Sequence, residues 1–257
     1  MNLKEIFKIQ TVLKDSGYHD ISRIANEIYT YSTQNSIPLD SILNRISKQE
    51  PWEYIQGYTE FRRRKFLLSK DTLIPRVESE QLVDIALDLA QREEIVKVID
   101  VGTGSGCLII SIAEECKKKN IEFAGVDINS NALEIAKKND WTGKIRFEEH
   151  DLVSGDDLRN GTLIIANLPY IPTDMYEKLE NSVRHFEPRL ALDGGKDGLF
   201  YYRKLIEIIQ NSRKDVFLTI EIEPSSLGDL ITHTKDMNLK VIRDFRGKNR
   251  FVLFHFS

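Results

Sequence analysis

The 257-residue chain is long enough for one large domain, or for a catalytic domain with a small second module. Its formal net charge of −4 excludes a globally basic surface of the kind that recruits nucleic acid. Two cysteines, Cys107 and Cys116, fall in one predicted helix, which indicates a reducing compartment and no disulfide framework. The N-terminus lacks a signal-peptide pattern, and no apolar run approaches the ~18 residues of a membrane span. We therefore expect a cytoplasmic protein without a membrane contact.

Residues 1–50 show only helical patterns, and this segment predicts a small helical bundle. Six basic residues balance six acidic ones there, so the bundle is not an obvious nucleic-acid-binding surface. We expect it to shape a surface for a partner protein. The apolar residues that keep helical spacing are Ile6, Ile9 and Leu13, then Ile21, Ile24, Ile28 and Tyr29, then Ile42, Leu43 and Ile46.

Residues 51–79 are rich in aromatic residues and turn signals, which predicts a β-hairpin connector. The basic run Arg62–Lys65 lies inside it. This run is either a solvated strand edge or a contact with a partner.

Residues 80–257 alternate between strand and helix patterns, which predicts an α/β catalytic domain with a Rossmann-like, doubly wound and mostly parallel sheet. Ligands of such sheets bind at the carboxyl ends of the strands, near the switch point. The first predicted helix, 106–119, ends in Lys117–Lys119, where cations suit the helix dipole. The predicted strands are VKVID, EFAGVD, IRFEE, TLIIAN, VFLTIEI, LKVIRDF and FVLFHF, and the other predicted helices are 130–139, 200–211 and one near 225–236.

The stretch VIDVGTGSGC joins the first of these strands to a helix. A dinucleotide-binding loop would need a third glycine at Cys107. The observed G-x-G-x-G spacing is instead typical of the S-adenosylmethionine loop of Rossmann-like methyltransferases. The candidate cofactor-binding residues here are Gly102, Thr103, Gly104, Ser105 and Gly106.

Two acidic residues end the next strands. Asp127 lies about 20 residues past the glycine loop, where a carboxylate accepts hydrogen bonds from ribose hydroxyls, although such a residue can also cap the following helix. Asp151, with Leu152, could frame an adenine ring, or could serve only as a turn.

The segment NLPY, Asn167–Tyr170, ends the fourth strand, which is expected to lie beside the first. The proline lacks an N–H group and restricts Leu168 to extended geometry. The Asn167 amide oxygen and the Leu168 carbonyl could hold both hydrogens of an NH2 group, with Tyr170 as an apolar wall. Asn167 is also a candidate cofactor-binding residue, because its strand end faces the methyl group of the cofactor. This arrangement indicates catalysis by orientation and desolvation.

With these residues assembled, the sequence resembles the HemK/PrmC family, the S-adenosylmethionine-dependent glutamine methyltransferases of peptide chain release factors. The resemblance covers nearly the whole chain. The stretches that carry it are EPWEYIQGYTEF (50–61), LIPRVESEQLV (73–83), VIDVGTGSGC (98–107), NLPYI (167–171), FEPRLALDGGKDGL (186–199) and DFRGKNR (244–250).

The resemblance implies that S-adenosylmethionine is the cofactor and that the substrate is the glutamine of the release-factor Gly-Gly-Gln motif. It implies a seven-stranded sheet whose last strand is antiparallel, and an N-terminal helical domain that helps to hold the release factor. We expect a monomer. By position, the implied residues are the glycine loop Gly102 to Gly106, Asp127 for ribose, Asp151 and Leu152 for adenine, Asn167 to Tyr170 for the substrate amide, Arg76 and Glu78 over the site, and Glu187, Pro188 and Arg189 in the segment after NLPY. Arg76 and Glu78 could instead form an ordinary surface ion pair.

Three departures from the family pattern stand out. The usual N-P-P-Y is N-L-P-Y here, which keeps the accepting carbonyl and predicts only a looser clamp. The segment EIEPSSL lacks the family's glycine and glutamine, and Leu152 replaces an often aromatic residue.

Two other functions fit part of the pattern. A nucleic-acid adenine amino-methyltransferase shares NLPY, but only Arg62–Lys65 supports nucleic-acid binding. A catalytically silent S-adenosylmethionine-binding protein would not need the complete clamp. The histidines and cysteines have no metal-ligand spacing, so we expect no metal.

Overall fold

A computed structural model describes residues 2–235 and 237–257. The N-terminal segment forms four helices, whose apolar positions pack into one cluster that extends to Trp52 and Ile55. The indole N–H of Trp52 donates to Glu27, 3.0 Å away, and so ties the last helix of the set to the second. The four helices are α1 (Leu3–Asp15), α2 (Ile21–Asn35), α3 (Leu39–Ile46) and α4 (Trp52–Gln56).

An antiparallel hairpin follows, formed by β1 (Tyr58–Phe61) and β2 (Arg64–Leu67). Its turn holds Arg62 and Arg63 at positive φ angles of 49° and 62°. The basic run contacts acids of the same chain, since Arg62 pairs with Asp84 and Glu115, and Arg64 pairs with Glu114.

The remaining strands form a seven-stranded sheet in the order β5-β4-β3-β6-β7-β9-β8. The five strands from β5 to β7 are parallel, and β9 is antiparallel to both of its neighbours. The fold class predicted from the sequence is confirmed. The strands are β3 (Lys97–Val101), β4 (Glu122–Asp127), β5 (Ile145–Glu149), β6 (Thr162–Ala166), β7 (Val216–Glu221), β8 (Asn238–Arg243) and β9 (Asn249–Phe256).

Helices cover both faces of this sheet because neighbouring residues of the central strands point to opposite sides. Val98 packs in one apolar cluster with α5 and α6, and Ile99 packs in another with α10. Every residue of β3, β6 and β7 is buried. The helices are α5 (Glu80–Arg92), α6 (Cys107–Glu115), α7 (Ser130–Asn139), α8 (Thr173–Tyr176), α9 (Asn181–Phe186), α10 (Phe200–Ser212) and α11 (Leu227–His233).

The predicted helix 106–119 is wrong at its end, because α6 stops at Glu115. Cys116 has an extended backbone, and Lys117–Lys119 follow the helix without forming its last turn. The apolar, buried face ends at Ala113, so further helical turns would have no surface to cover. No helix within residues 2–235 and 237–257 is long and apolar enough to cross a membrane.

Candidate active site

A cleft with about 1080 Å³ of open space lies at the carboxyl ends of β3, β4 and β6. The topology explains its position, since the chain moves from β3 to one side through β4 and later returns to the other side through β6. Eleven of the residues predicted from the sequence line it, namely Gly102, Thr103, Gly104, Ser105, Asp127, Asp151, Leu152, Asn167, Leu168, Pro169 and Pro188.

The glycine loop passes close to the NLPY segment. A Cβ at Gly102 would lie 2.8 Å from the Leu168 side chain, whereas one at Gly104 would meet nothing within 4 Å. Gly104 therefore leaves room for a ligand against the backbone. Gly106 is outside the lining and packs on Ile110 and Ala136.

Asp127 at the end of β4 is tied to this loop. Its Oδ2 accepts from the Gly104 N–H at 2.8 Å, and its Oδ1 accepts from the Asn129 N–H at 2.9 Å. Burial raises the pKa of Asp127, and these backbone hydrogen bonds oppose the shift. Each carboxylate oxygen keeps a second lone pair that could accept from a ribose hydroxyl.

Asp151 and Leu152 also line the cleft, just after β5, the strand that neighbours β4. Asp151 is exposed, while Leu152 is buried with a positive φ of 64°. The turn thus presents one polar and one apolar side chain to the same region of the cleft.

The NLPY segment is held by hydrogen bonds to side chains of other parts of the chain. The Asn167 Nδ2 donates to Ser79 Oγ at 3.1 Å, and the Leu168 N–H donates to the Tyr202 hydroxyl at 3.1 Å. Tyr170 does not line the cleft, because its hydroxyl donates to Glu221 Oε1 at 3.0 Å. Burial, together with the Glu221 charge, raises the pKa of Tyr170.

The glycine-rich run after NLPY packs directly on its backbone. A Cβ at Gly194 would lie 2.5 Å from the Pro169 carbonyl oxygen, and one at Gly198 would lie 2.1 Å from the Tyr170 carbonyl oxygen. A bridge between Ile171 and Asp193 joins the two segments. Glycine is required here because only a bare backbone can approach so closely.

Arg76 and Glu78 do not pair with each other. Arg76 binds Glu187, whose side chain is only 1% exposed, and Glu187 also accepts from the Ile74 N–H at 3.3 Å. Glu78 pairs with Arg246 at 3.3 Å. Neither Arg76 nor Glu78 lines the cleft, although Pro75, which directly precedes Arg76, does.

Comparisons with known proteins show the family of the chain. A methyltransferase domain family (Methyltransf_31) matches residues 93–154. A release factor glutamine methyltransferase of Koribacter versatilis is 34% identical over 83% of this chain and 78% of its own. The corresponding protein of Fusobacterium nucleatum is 30% identical over 92% of this chain and 70% of its own. The chain belongs to the release factor glutamine methyltransferase family.

The solved structures agree at the level of the fold. The hMettl16 catalytic domain, solved in complex with a MAT2A 3'UTR hairpin, matches with a TM-score of 0.59 and 14% identity over 80% of this chain and 87% of that one. The sequence matches above show that the chain is an S-adenosylmethionine-dependent methyltransferase. The nucleic-acid alternative is not favoured, since the relatives are release factor glutamine methyltransferases and Arg62 and Arg64 of the basic run are ion-paired within the chain. Within the described residues, no group of three or more His, Cys, Asp or Glu side chains could hold a metal ion.

A buried carboxylate behind the glycine loop bears on whether the cleft fits S-adenosylmethionine. Asp100 is fully buried, and its Oδ2 accepts from Thr103 Oγ1 at 2.7 Å. Its Oδ1 has no hydrogen-bond partner among the residues that the structure describes. Burial raises the pKa of Asp100 to about 7. A cationic ligand on the loop would offset this buried charge, and S-adenosylmethionine carries a sulfonium and an ammonium group.

Replacing Asp100 with asparagine is expected to remove a pH dependence of stability. Because the folded-state pKa of about 7 lies above the ordinary 3.8, the contribution of Asp100 to the free energy of unfolding is greatest below about pH 4 and is lost as the pH rises through about 7. The melting temperature of Asp100→Asn should therefore exceed that of the wild type increasingly between about pH 5 and about pH 8. S-adenosylmethionine should stabilise the wild type more at the higher pH. A difference in melting temperature between the two proteins that stays the same at every pH would contradict this account.

Sequence reasoning missed three residues that support the clamp, namely Ser79, Tyr202 and Glu221. One signal for Glu221 was available, because an acid inside the apolar strand run VFLTIEI must find partners when it is buried. Ser79 and Tyr202 carry no comparable signal, since a serine before a helix reads as a cap and a tyrosine inside a helix reads as core.

Proposed function

We propose that the cleft transfers a methyl group from S-adenosylmethionine to the side-chain amide nitrogen of the glutamine in the Gly-Gly-Gln motif of a release factor. The observation that carries the proposal is the orientation of Asn167. Its NH2 group is bound to Ser79, so its oxygen is the atom available to a substrate. Membership of the release factor glutamine methyltransferase family supports glutamine as the methylated residue.

The residues of the chain act by orientation. The Asn167 amide oxygen and the Leu168 carbonyl accept the two hydrogens of the substrate amide, which leaves the nitrogen lone pair directed at the methyl donor. S-adenosylmethionine supplies an activated methyl group, because its sulfonium is already a leaving group. The glycine loop and Asp127 hold the donor, and the apolar side chains of Leu168 and Pro169 exclude water from the reacting atoms.

The helices of residues 1–50 are proposed to hold the release factor, with residues 51–79 as the connector and residues 80–257 as the catalytic domain. Two apolar side chains on α1, Leu3 and Phe7, are 75% and 72% exposed, which supports a partner surface there. We propose that the enzyme acts in the cytoplasm as a monomer.

Mass spectrometry of a release factor tests the function directly. After incubation with this protein and S-adenosylmethionine, the digested release factor should carry one added methyl on the Gly-Gly-Gln glutamine. A release factor without that methyl, together with donor consumed when RNA or DNA is added, would contradict the proposal and favour the adenine amine as substrate.

A further inference from the structure

A single buried acid connects both halves of the clamp. Glu221 at the end of β7 has a side chain that is 1% exposed. Its Oε2 accepts from Ser79 Oγ at 2.6 Å, and Ser79 in turn accepts from Asn167. Its backbone carbonyl accepts from the hydroxyl of Tyr202, which accepts the Leu168 N–H. The side-chain acceptor and the backbone acceptor are thus anchored to the same residue.

The acid also sets the direction of these hydrogen bonds. An ionised carboxylate has no hydrogen to donate, so the hydroxyls of Ser79 and Tyr170 must each donate their only hydrogen to Glu221. Ser79 Oγ is left with lone pairs alone and can only accept a further bond. The Asn167 amide therefore turns its NH2 group toward Ser79.

Among the described residues, Glu221 has one ion-pair partner, a guanidinium nitrogen of Arg250 that lies 3.9 Å from Oε1. Burial raises the pKa of Glu221, while the hydrogen bonds from Ser79 and Tyr170 and the charge of Arg250 favour the ionised form.

The Ser79 hydroxyl has no second role in the helix that follows it. Ser79 stands at the start of α5 but makes no side-chain capping bond to it. Ser79 is 2% exposed, so its hydroxyl is committed to the bonds with Asn167 and Glu221.

We propose that Ser79 and Glu221 are positioning residues that hold the Asn167 amide with its oxygen toward the substrate, and that this polarity makes the site specific for an NH2 group over an acceptor-only group such as a carboxylate. The inference deepens the proposed function and rests on it. In the opposite orientation the Asn167 oxygen would face Ser79 Oγ without a hydrogen between them. Losing one buried hydrogen bond in this way disfavours that orientation by roughly ten- to a hundredfold.

Steady-state kinetics with a release factor, in mildly alkaline buffer, test the inference. Ser79→Ala should lower kcat by roughly tenfold to a hundredfold, because the amide is then free to rotate. Ser79→Thr keeps the hydroxyl and should restore most of the activity. Glu221→Gln can donate as well as accept, so it should also lower kcat. The affinity for S-adenosylmethionine, measured by calorimetry, should stay at the wild-type value in all three variants.

A matched control comes from the same strand. Thr219 is buried on β7 two residues before Glu221, and its hydroxyl has no partner among the described residues. Thr219→Val should therefore leave kcat unchanged.

A double-mutant cycle separates positioning from a general loss of structure. If Ser79 acts through Asn167, adding Ser79→Ala to Asn167→Ala should cause no further loss of rate. A wild-type rate for Ser79→Ala, or a full additional loss in the double variant, would overturn the inference. The proposed function would still stand in that case, as long as the wild type methylates its substrate. A wild-type protein that leaves the release-factor glutamine unmethylated would overturn the proposed function and this inference together.

Discussion

Replacing Asn167 with alanine is expected to lower methyl transfer at saturating substrate by roughly 10²- to 10³-fold, the loss typical of one preorganised polar group at a reacting centre. The Asn167 oxygen is the side-chain acceptor that the cleft offers to the substrate amide. S-adenosylmethionine should still bind, because the glycine loop and Asp127 hold each other in place without Asn167. Single-turnover transfer and calorimetric titration of the cofactor measure the two quantities separately.

Asn167→Asp is the informative companion variant. Its carboxylate keeps an acceptor toward the substrate, but it places a second acid on Ser79, which already donates to Glu221. We expect a rate between those of the wild type and Asn167→Ala. Full activity in Asn167→Ala would show that the clamp does not hold the substrate.

Gly198→Ala should have a comparably large effect, although Gly198 is remote from the reacting atoms. An added Cβ would lie 2.1 Å from the Tyr170 carbonyl oxygen, and Gly198 also has a φ of +75°. Because the atom that the Cβ meets belongs to the backbone, the whole NLPY segment must shift. A displacement of about 1 Å at an active site can lower the rate by about a hundredfold. We expect this loss of kcat together with a lower melting temperature.

The matched control for this substitution is Gly228→Ala. Gly228 lies in α11, and an added Cβ there meets nothing within 4 Å. It should raise stability slightly, since alanine favours a helix over glycine. Equal rates for Gly198→Ala and Gly228→Ala would refute the idea that the glycine-rich run supports the clamp.

The strands of the sheet were predictable because their information is local. EFAGVD is a short, mostly apolar run and IRFEE begins with alternating apolar and charged residues, and the structure forms strands over the same residues. The end of α6 was not predictable in this way. Its lysine run suggested a helix terminus, whereas the extent of the buried surface decides where the helix stops.

The arrangement behind the clamp depends on residues that are far apart in sequence. Ser79 and Glu221 are 142 residues apart, and Arg76 and Glu187 are 111 apart. Only the strand order brings such pairs together, and no periodic pattern encodes a pairing at that distance. The clamp residues could thus be identified from their motif, but their supports could not.

The position of β9 has a consequence for the order of folding. β9 follows every other described strand in the chain, yet it lies between β7 and β8. During synthesis β7 therefore keeps an open edge, and β8 has no partner, until residues 249–256 have emerged. β9 pairs Phe251 with Glu221, and its Arg250 brings a cation to the same acid. The buried acid acquires its final environment only in the last pairing step, so the nascent chain gains its catalytic geometry after its sheet is complete.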